Sequence, residues 1–214
     1  MTEQRLSISV DATRSVSALW TGAATAGPAF VYAPGAGAGL DDGFGRYAAT
    51  ALADAGIAML RFQFPYREAG KSLPVLEATW RAALATAGER APWLVAGGRS
   101  MGGRMASHVV AQGAAVAGLA LFAYPLHPPK RPQQRRDAHL PAIDCPTLLC
   151  SGDRDTFATV AELQALLSVL PDARLYVLHG ADHGFNVLKA SGRRREDIWH
   201  EAATTLIEFI RRLS

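Results

Sequence analysis

Short apolar runs rich in β-forming residues alternate with longer helical patterns along almost the whole chain. Several of these runs are nearly continuous in apolar residues, which is typical of strands that are buried on both faces of a parallel sheet. The predicted strands are Val16–Trp20, Ala29–Tyr32, Ala58–Phe64, Trp93–Ala96, Leu119–Ala123, Thr147–Cys150 and Arg174–Leu178. An earlier segment, Leu6–Val10, alternates apolar and polar residues and predicts an antiparallel edge strand.

Helical patterns fill the gaps between the predicted strands. They are Gly43–Ala55, Leu73–Ala87, Met101–Gln112, Val160–Leu170 and Glu196–Leu213. The fourth begins with a capping box, Thr159-x-x-Glu162, and is expected to stop before Pro171. Strand–helix alternation of this kind predicts an α/β fold with a mostly parallel, doubly wound sheet flanked by helices. We expect one domain over residues 1–214.

Composition excludes several classes of protein. The chain has 214 residues, of which 49% are hydrophobic, enough for one sizeable core. A formal net charge of +3 is too small an excess to indicate a nucleic-acid partner. The start of the chain has no signal-peptide pattern, and glycines and prolines interrupt the uncharged stretch 15–40, so no membrane partner is expected. Cys145 and Cys150 are interpreted as unpaired thiols in a reducing, cytoplasmic location, and no spacing suggests a metal or a cofactor.

A G-x-S-x-G pattern spans residues 98–102 and centres on Ser100. It directly follows the predicted strand Trp93–Ala96 and precedes a helical pattern. A sharp strand-to-helix turn that exposes a serine needs glycines on both sides, because neighbouring backbones pass too close for side chains. We interpret Ser100 as a nucleophile; the alternative is a glycine-rich turn with an ordinary serine.

Carboxylates and a histidine follow in the chain order that such a nucleophile requires, serine before acid before base. Asp153 and Asp155 lie in the loop after the predicted strand Thr147–Cys150. We favour Asp155 as the residue that orients the base, because the turn at Gly152 can bring it back over the sheet; both could instead be ordinary loop carboxylates. His183, in the loop after the last strand, is the predicted general base.

The glycine-rich loop at residues 34–39 follows the predicted strand Ala29–Tyr32. It lets a backbone N–H face the nucleophile, so we assign the oxyanion donors to the backbones of Ala36 and Met101. Three further side chains at strand ends are expected to contact substrate: Tyr66, Arg67 and Tyr124.

About two dozen residues separate the predicted strands Leu119–Ala123 and Thr147–Cys150. This is too short for a helical cap, and its prolines favour a stiff loop at the mouth of the site. The basic residues of this loop are Lys130, Arg131, Arg135 and Arg136. They either attract an anionic substrate or form a solvated charged surface, and the second interpretation is favoured.

Taken together, these segments resemble a known family. They are the glycine-rich loop 34–39, Arg61–Tyr66, Arg99–Ser107, Tyr124–Pro129, Ser151–Asp155 and Ala181–His183. The chain resembles the dienelactone-hydrolase-related branch of the α/β-hydrolase superfamily, and within it the predicted hydrolases that include the testis-expressed hydrolase-like proteins. The resemblance implies an α/β-hydrolase fold and the positions of the three catalytic residues. Dienelactone hydrolases carry a cysteine where this chain has Ser100.

These observations predict a serine hydrolase that cleaves a small ester or thioester. Ser100 would attack, His183 would transfer the proton and Asp155 would orient His183. The expected partner is a small-molecule acyl substrate, and the oligomeric state stays open. One relative in the resembled group serves as a chromatin-complex subunit, so the alternative is a non-catalytic protein of the same fold that binds a partner or a small ligand.

Overall fold

The protein is built around one eight-stranded sheet. The computed structural model describes residues 2–22, 27–65, 72–170 and 172–213. The strands are β1 Glu3–Ser9, β2 Ser15–Thr21, β3 Ala29–Ala33, β4 Ala58–Phe62, β5 Leu94–Arg99, β6 Gly118–Phe122, β7 Thr147–Gly152 and β8 Ala173–Leu178. They lie in the order β1-β2-β4-β3-β5-β6-β7-β8. Strand β2 pairs antiparallel with β1 and β4, and the other neighbouring strands are parallel.

Five α-helices occur within the described residues; the first four connect parallel strands, and the fifth follows β8. They are α1 Gly43–Asp54, α2 Leu73–Gly88, α3 Met101–Ala111, α4 Val160–Leu166 and α5 Arg195–Arg212. The predicted edge strand, buried strands and helices all occur. Several boundaries differ from the prediction: β4 ends at Phe62 and not at Phe64, and β5 continues to Arg99 and does not end at Ala96. Helix α4 ends at Leu166 and not at Leu170, because the following N–H groups of Leu167 and Val169 bond three residues back and tighten the chain into turns. The predicted capping box of α4 is confirmed by hydrogen bonds in both directions.

The helices cover both faces of the sheet. On one face, α2, α3 and α4 bury side chains such as Trp80, Met105 and Leu163. On the other, α1 and α5 bury Phe44 and Leu206 among others. Strands β3 to β7 are buried on both faces, which explains why their sequences are nearly continuous apolar runs, whereas residues of β8 at the sheet edge alternate between partly buried and exposed.

This topology places the loops that follow β3, β5, β7 and β8 at one edge, the carboxyl edge of the parallel strands. In open α/β sheets this edge is where ligands bind. Between β6 and β7 the chain forms an extended loop with one short 3₁₀ turn, Leu140–Ala142, and no separate cap lies among the residues described there. Within the described ranges no helix is both long and apolar enough to span a bilayer.

Candidate active site

Ser100 occupies a strained turn between β5 and α3. Its backbone has φ 51° and ψ −118°, a conformation that few residues other than glycine adopt. A hydrogen bond of 2.8 Å from its N–H to the carbonyl of Phe122 fixes the turn to β6. A Cβ atom added to Gly98 or Gly102 would lie 2.3 or 2.1 Å from the carbonyl oxygen of Ala33. The glycines are therefore required by the close approach of β3, as the sequence pattern predicted.

Ser100, His183 and Asp155 form one hydrogen-bonded chain. Nε2 of His183 lies 2.9 Å from Oγ of Ser100, and Nδ1 lies 2.8 and 3.0 Å from the two carboxylate oxygens of Asp155. The Asp155 side chain is fully buried, whereas 21% of the His183 side chain is exposed. The three residues predicted from separate loops are thus brought together in the order that proton transfer from serine to imidazole requires.

Asp155 is held by contacts of its own. The backbone N–H of Phe157 donates to Oδ1 at 2.8 Å, and Oγ of Ser151 lies 3.4 Å from Oδ2. Asp153 turns away: its carboxylate contacts Nδ1 of the exposed His179 at 3.1 Å and accepts the N–H of Gly180 at 2.8 Å. The structure therefore places Asp155 at His183 and uses Asp153 to close the loop after β8.

The loop that carries His183 is anchored on both sides. Oδ1 of Asp182 accepts the N–H groups of Gly184 and Asn186 at 2.8 and 2.9 Å. Phe185, with φ 61°, is fully buried and packs edge-on against Phe44 at a ring distance of 5.3 Å. These contacts limit the movement of the imidazole relative to Ser100.

Two supporting side chains were missed by the sequence reasoning. Phe157 stacks on the imidazole of His183 with ring centroids 4.0 Å apart and planes 26° apart. Arg99 contacts the carboxylate of Asp42 at 3.4 Å and the carbonyl oxygen of His183 at 3.4 Å, so it links the α1 end of the site to the histidine loop. Arg99 adjoins Ser100 in the motif, which is a signal that could have identified it; Phe157 offers no comparable signal.

A cleft of about 420 Å³ opens beside Ser100 and His183. Ala36 and Met101, the predicted sources of oxyanion donors, line this cleft together with Phe157. Three arginines line it as well: Arg99, Arg104 and Arg136. The volume is within the ordinary range for small-molecule sites.

Comparisons with known proteins agree with this architecture. The sequence model of the Alpha/beta hydrolase domain matches residues 26–211. The chain belongs to the α/β-hydrolase family. Similar solved structures include Est1E from Butyrivibrio proteoclasticus, with TM-score 0.77, 13% identity and coverage of 95% of this chain and 98% of that chain. A dienelactone hydrolase from Anabaena variabilis has TM-score 0.74 and 21% identity, with 95% of each chain covered. XC6422 from Xanthomonas campestris, described as an α/β serine hydrolase without lid, has TM-score 0.73 and 16% identity, with 98% and 95% covered.

The predicted substrate contacts of this α/β-hydrolase have different outcomes. Tyr66 and Arg67 lie outside the described residues. Tyr124 is 1% exposed and is not among the residues that line the cleft. Its hydroxyl donates to the carbonyl of Arg136 at 2.7 Å, so its observed contact is with the backbone of the loop between β6 and β7. The reason is that the chain turns at Ala123, with φ 47°, and directs Tyr124 into the core.

A second serine–histidine contact in this α/β-hydrolase lies away from the cleft. Oγ of Ser107 is 2.7 Å from Nε2 of His139, and the His139 ring packs on that of His108 at 3.9 Å. Ser107 is completely buried, so it cannot meet a substrate. Burial, and then the charges of His108 and Arg104, lower the pKa of His139 to about 4. Among the described residues, no group of three or more His, Cys, Asp or Glu side chains could hold a metal ion.

Proposed function

We propose that this α/β-hydrolase is a serine hydrolase that cleaves a small ester or thioester through an acyl-enzyme on Ser100. The hydrogen-bonded chain from Ser100 through His183 to the buried Asp155 carries the proposal. The strained backbone of Ser100 and its place on the wall of the cleft support it further.

The reaction would proceed in two halves. In the first, Oγ of Ser100 attacks the acyl carbon while Nε2 of His183 takes the hydroxyl proton. The carbonyl oxygen becomes an oxyanion, for which we assign the backbone N–H groups of Ala36 and Met101 as donors. Collapse of this intermediate breaks the bond to the alcohol or thiol, which leaves with the proton from His183, and the acyl group stays on Ser100.

In the second half, water attacks the acyl-enzyme and gives its proton to His183. The carboxylic acid then departs as Ser100 regains its proton. Asp155 accepts the Nδ1–H of His183 throughout, which keeps Nε2 free to act as a base and stabilises the imidazolium when it forms.

Two finer assignments remain predictions. One is membership of the group that includes the testis-expressed hydrolase-like proteins, and the other is a cytoplasmic location. Because Ser100 replaces the cysteine of dienelactone hydrolases, we do not propose dienelactone as the substrate.

A fluorophosphonate probe tests the proposal directly, because it reacts with serines that a neighbouring base activates. We expect the wild-type protein to be labelled and Ser100→Ala to stay unlabelled. Ser107→Ala is a matched control, because it removes the other serine that contacts a histidine, and it should be labelled like the wild type. Equal labelling of wild type and Ser100→Ala would exclude the nucleophile, and absence of any labelling would favour a non-catalytic binding protein.

A further inference from the structure

The positive charges in the cleft are not equivalent. Arg99 contacts the carboxylate of Asp42 and a backbone carbonyl, so its charge is neutralised and its position fixed. Arg104 and Arg136 have no carboxylate partner among the residues that the structure describes. The cleft is therefore lined by two cations with no counterion from the described part of the chain.

Arg104 lies one helical turn after Ser100, and its backbone N–H donates to the carbonyl of Ser100 at 3.0 Å. The guanidinium Nε is buried and has no hydrogen-bond partner. A buried donor of this kind costs free energy unless something accepts its hydrogen bond. Burial, and then the nearby charge of Arg136, lower the pKa of Arg104.

Arg136 comes from the loop between β6 and β7, and its backbone is fixed at both polar groups. Its N–H donates to the carbonyl of Leu126 at 2.8 Å, and its carbonyl accepts the hydroxyl of Tyr124 at 2.7 Å. The structure thus holds a second guanidinium close to the first although the two repel each other. An anion between them would remove the repulsion and accept hydrogen bonds from both.

The other basic residues of this loop do not share these properties. Arg135 donates to the carboxylate of Asp137 at 2.8 Å, and Lys130 and Arg131 are exposed and do not line the cleft. For these three, the sequence interpretation of a solvated charged surface is the better description. Of the four basic residues in this loop, only Arg136 lines the cleft, where it lies together with the helical Arg104.

We propose that Arg104 and Arg136 form an anion-binding subsite, and that the substrate of Ser100 is an ester or thioester that carries a carboxylate near its scissile bond. The substrate part of this inference rests on the proposed hydrolase function. Guanidinium groups bind planar carboxylates with paired hydrogen bonds, and two of them lie in the same cleft as the nucleophile.

Matched ester pairs test the subsite from both sides of the scissile bond. The first pair is mono-4-nitrophenyl adipate and 4-nitrophenyl hexanoate, where a methyl group replaces the carboxylate at the end of the acyl chain. The second pair is 4-acetoxybenzoate and 4-acetoxybenzamide, where the charge is on the leaving group. We expect kcat/KM to favour the anionic member by about tenfold or more in at least one pair. The preference should weaken as added salt screens the charges.

Three single variants test which arginines produce the preference for the anionic ester. Arg104→Gln and Arg136→Gln should each bring the ratio of kcat/KM for the anionic ester to kcat/KM for the neutral ester close to one. Arg131→Gln removes one charge from the same loop without touching the cleft, and it should keep the preference. If Arg104→Gln does not fold, Arg136→Gln on the loop still decides the question.

A binding measurement separates this inference from the hydrolase proposal. Adipate is titrated calorimetrically into Ser100→Ala and into Ser100→Ala with Arg136→Gln, with neutral adipamide as the control ligand. If adipate binding depends on Arg136 but the wild-type protein does not hydrolyse the esters, the result would support the subsite and refute the hydrolase function. Hydrolysis with no charge preference and no arginine-dependent binding would overturn the subsite and leave the hydrolase function standing. If the wild-type protein hydrolyses no ester and adipate binding does not depend on Arg136, both proposals would be refuted.

Discussion

Replacement of Asp155 by asparagine is the sharpest test of the proposed proton path. In the structure, Oδ1 of Asp155 accepts the N–H of Phe157 at 2.8 Å, and Oδ2 lies 2.8 Å from Nδ1 of His183. Asparagine has one acceptor oxygen for these two donors. If that oxygen stays on the fixed backbone N–H of Phe157, the amide group points its own N–H at His183.

The amide nitrogen would then stand in the place of Oδ2, the oxygen nearer to Nδ1, and this favours the tautomer in which His183 accepts at Nδ1 and carries its proton on Nε2, opposite Ser100. In this tautomer the imidazole cannot take the serine proton. The reverse orientation of the asparagine would direct its amide hydrogens at the N–H of Phe157, which costs about 1–3 kcal/mol in a buried site. In a serine protease, the comparable change lowers kcat by about 10⁴. We expect a similar loss here, equivalent to about 5 kcal/mol of transition-state stabilisation.

The assay is the second-order rate of fluorophosphonate labelling together with kcat/KM for 4-nitrophenyl acetate. Asp153→Asn is the matched control. Its oxygen can still accept the N–H of Gly180, and its other partner, His179, is 81% exposed at the side chain, so both rates should stay within about threefold of wild type. Rates for Asp155→Asn within tenfold of wild type, or a larger loss in Asp153→Asn, would refute the reasoning.

Three further predictions concern substrate size, pH and backbone packing. Without a cap to bury a long chain, kcat/KM for a series of 4-nitrophenyl esters should peak at short acyl groups, since each methylene gains about 0.8 kcal/mol only while it is buried; a steady rise to long fatty-acyl esters would contradict this. Because the pKa of His139 is lowered to about 4 from 6.5, the unfolded state binds more protons between these values, so unfolding free energy should fall with falling pH in that window. After allowance for partial exposure the effect is about 2 kcal/mol at most, and His139→Gln should flatten the pH dependence measured by urea unfolding. Gly102→Ala should cost about 3 kcal/mol or more in urea unfolding, because its Cβ would lie 2.1 Å from the carbonyl oxygen of Ala33, whereas Gly88→Ala meets open space and should be neutral or slightly stabilising.

Much of the fold could be predicted because its signals are local. Continuous apolar runs identified the buried strands, the capping box at Thr159 located the start of α4, and the G-x-S-x-G pattern located the strained turn at Ser100. Each signal depends on neighbouring residues, whose geometry the backbone fixes by itself. The end of α4 was missed because the nearest stop signal in the sequence, Pro171, comes five residues after Leu166, and the residues directly after Leu166 include no glycine or proline.

The candidate site also has one part that the sequence predicted and one part that it did not. Chain order and strand-end positions were sufficient to select Ser100, Asp155 and His183, because parallel strands bring their carboxyl ends to one edge. The sequence pattern did not reveal which charges face the cleft. Of the basic residues in the loop after β6, Arg136 enters it because Tyr124 and Leu126 fix its backbone, while Arg135 pairs with its neighbour Asp137.

The sequence by itself therefore determined the order of elements, the glycine-dependent turn and the identity of the three hydrogen-bonded residues. The tertiary structure decided that Phe157 stacks on His183, that Arg99 bridges Asp42 to the histidine loop, and that Tyr124 is buried in the core. The physical reason is that hydrophobic pattern and turn chemistry act over a few residues. The direction of a loop side chain depends instead on contacts with segments distant in sequence, which exist only after the sheet has formed.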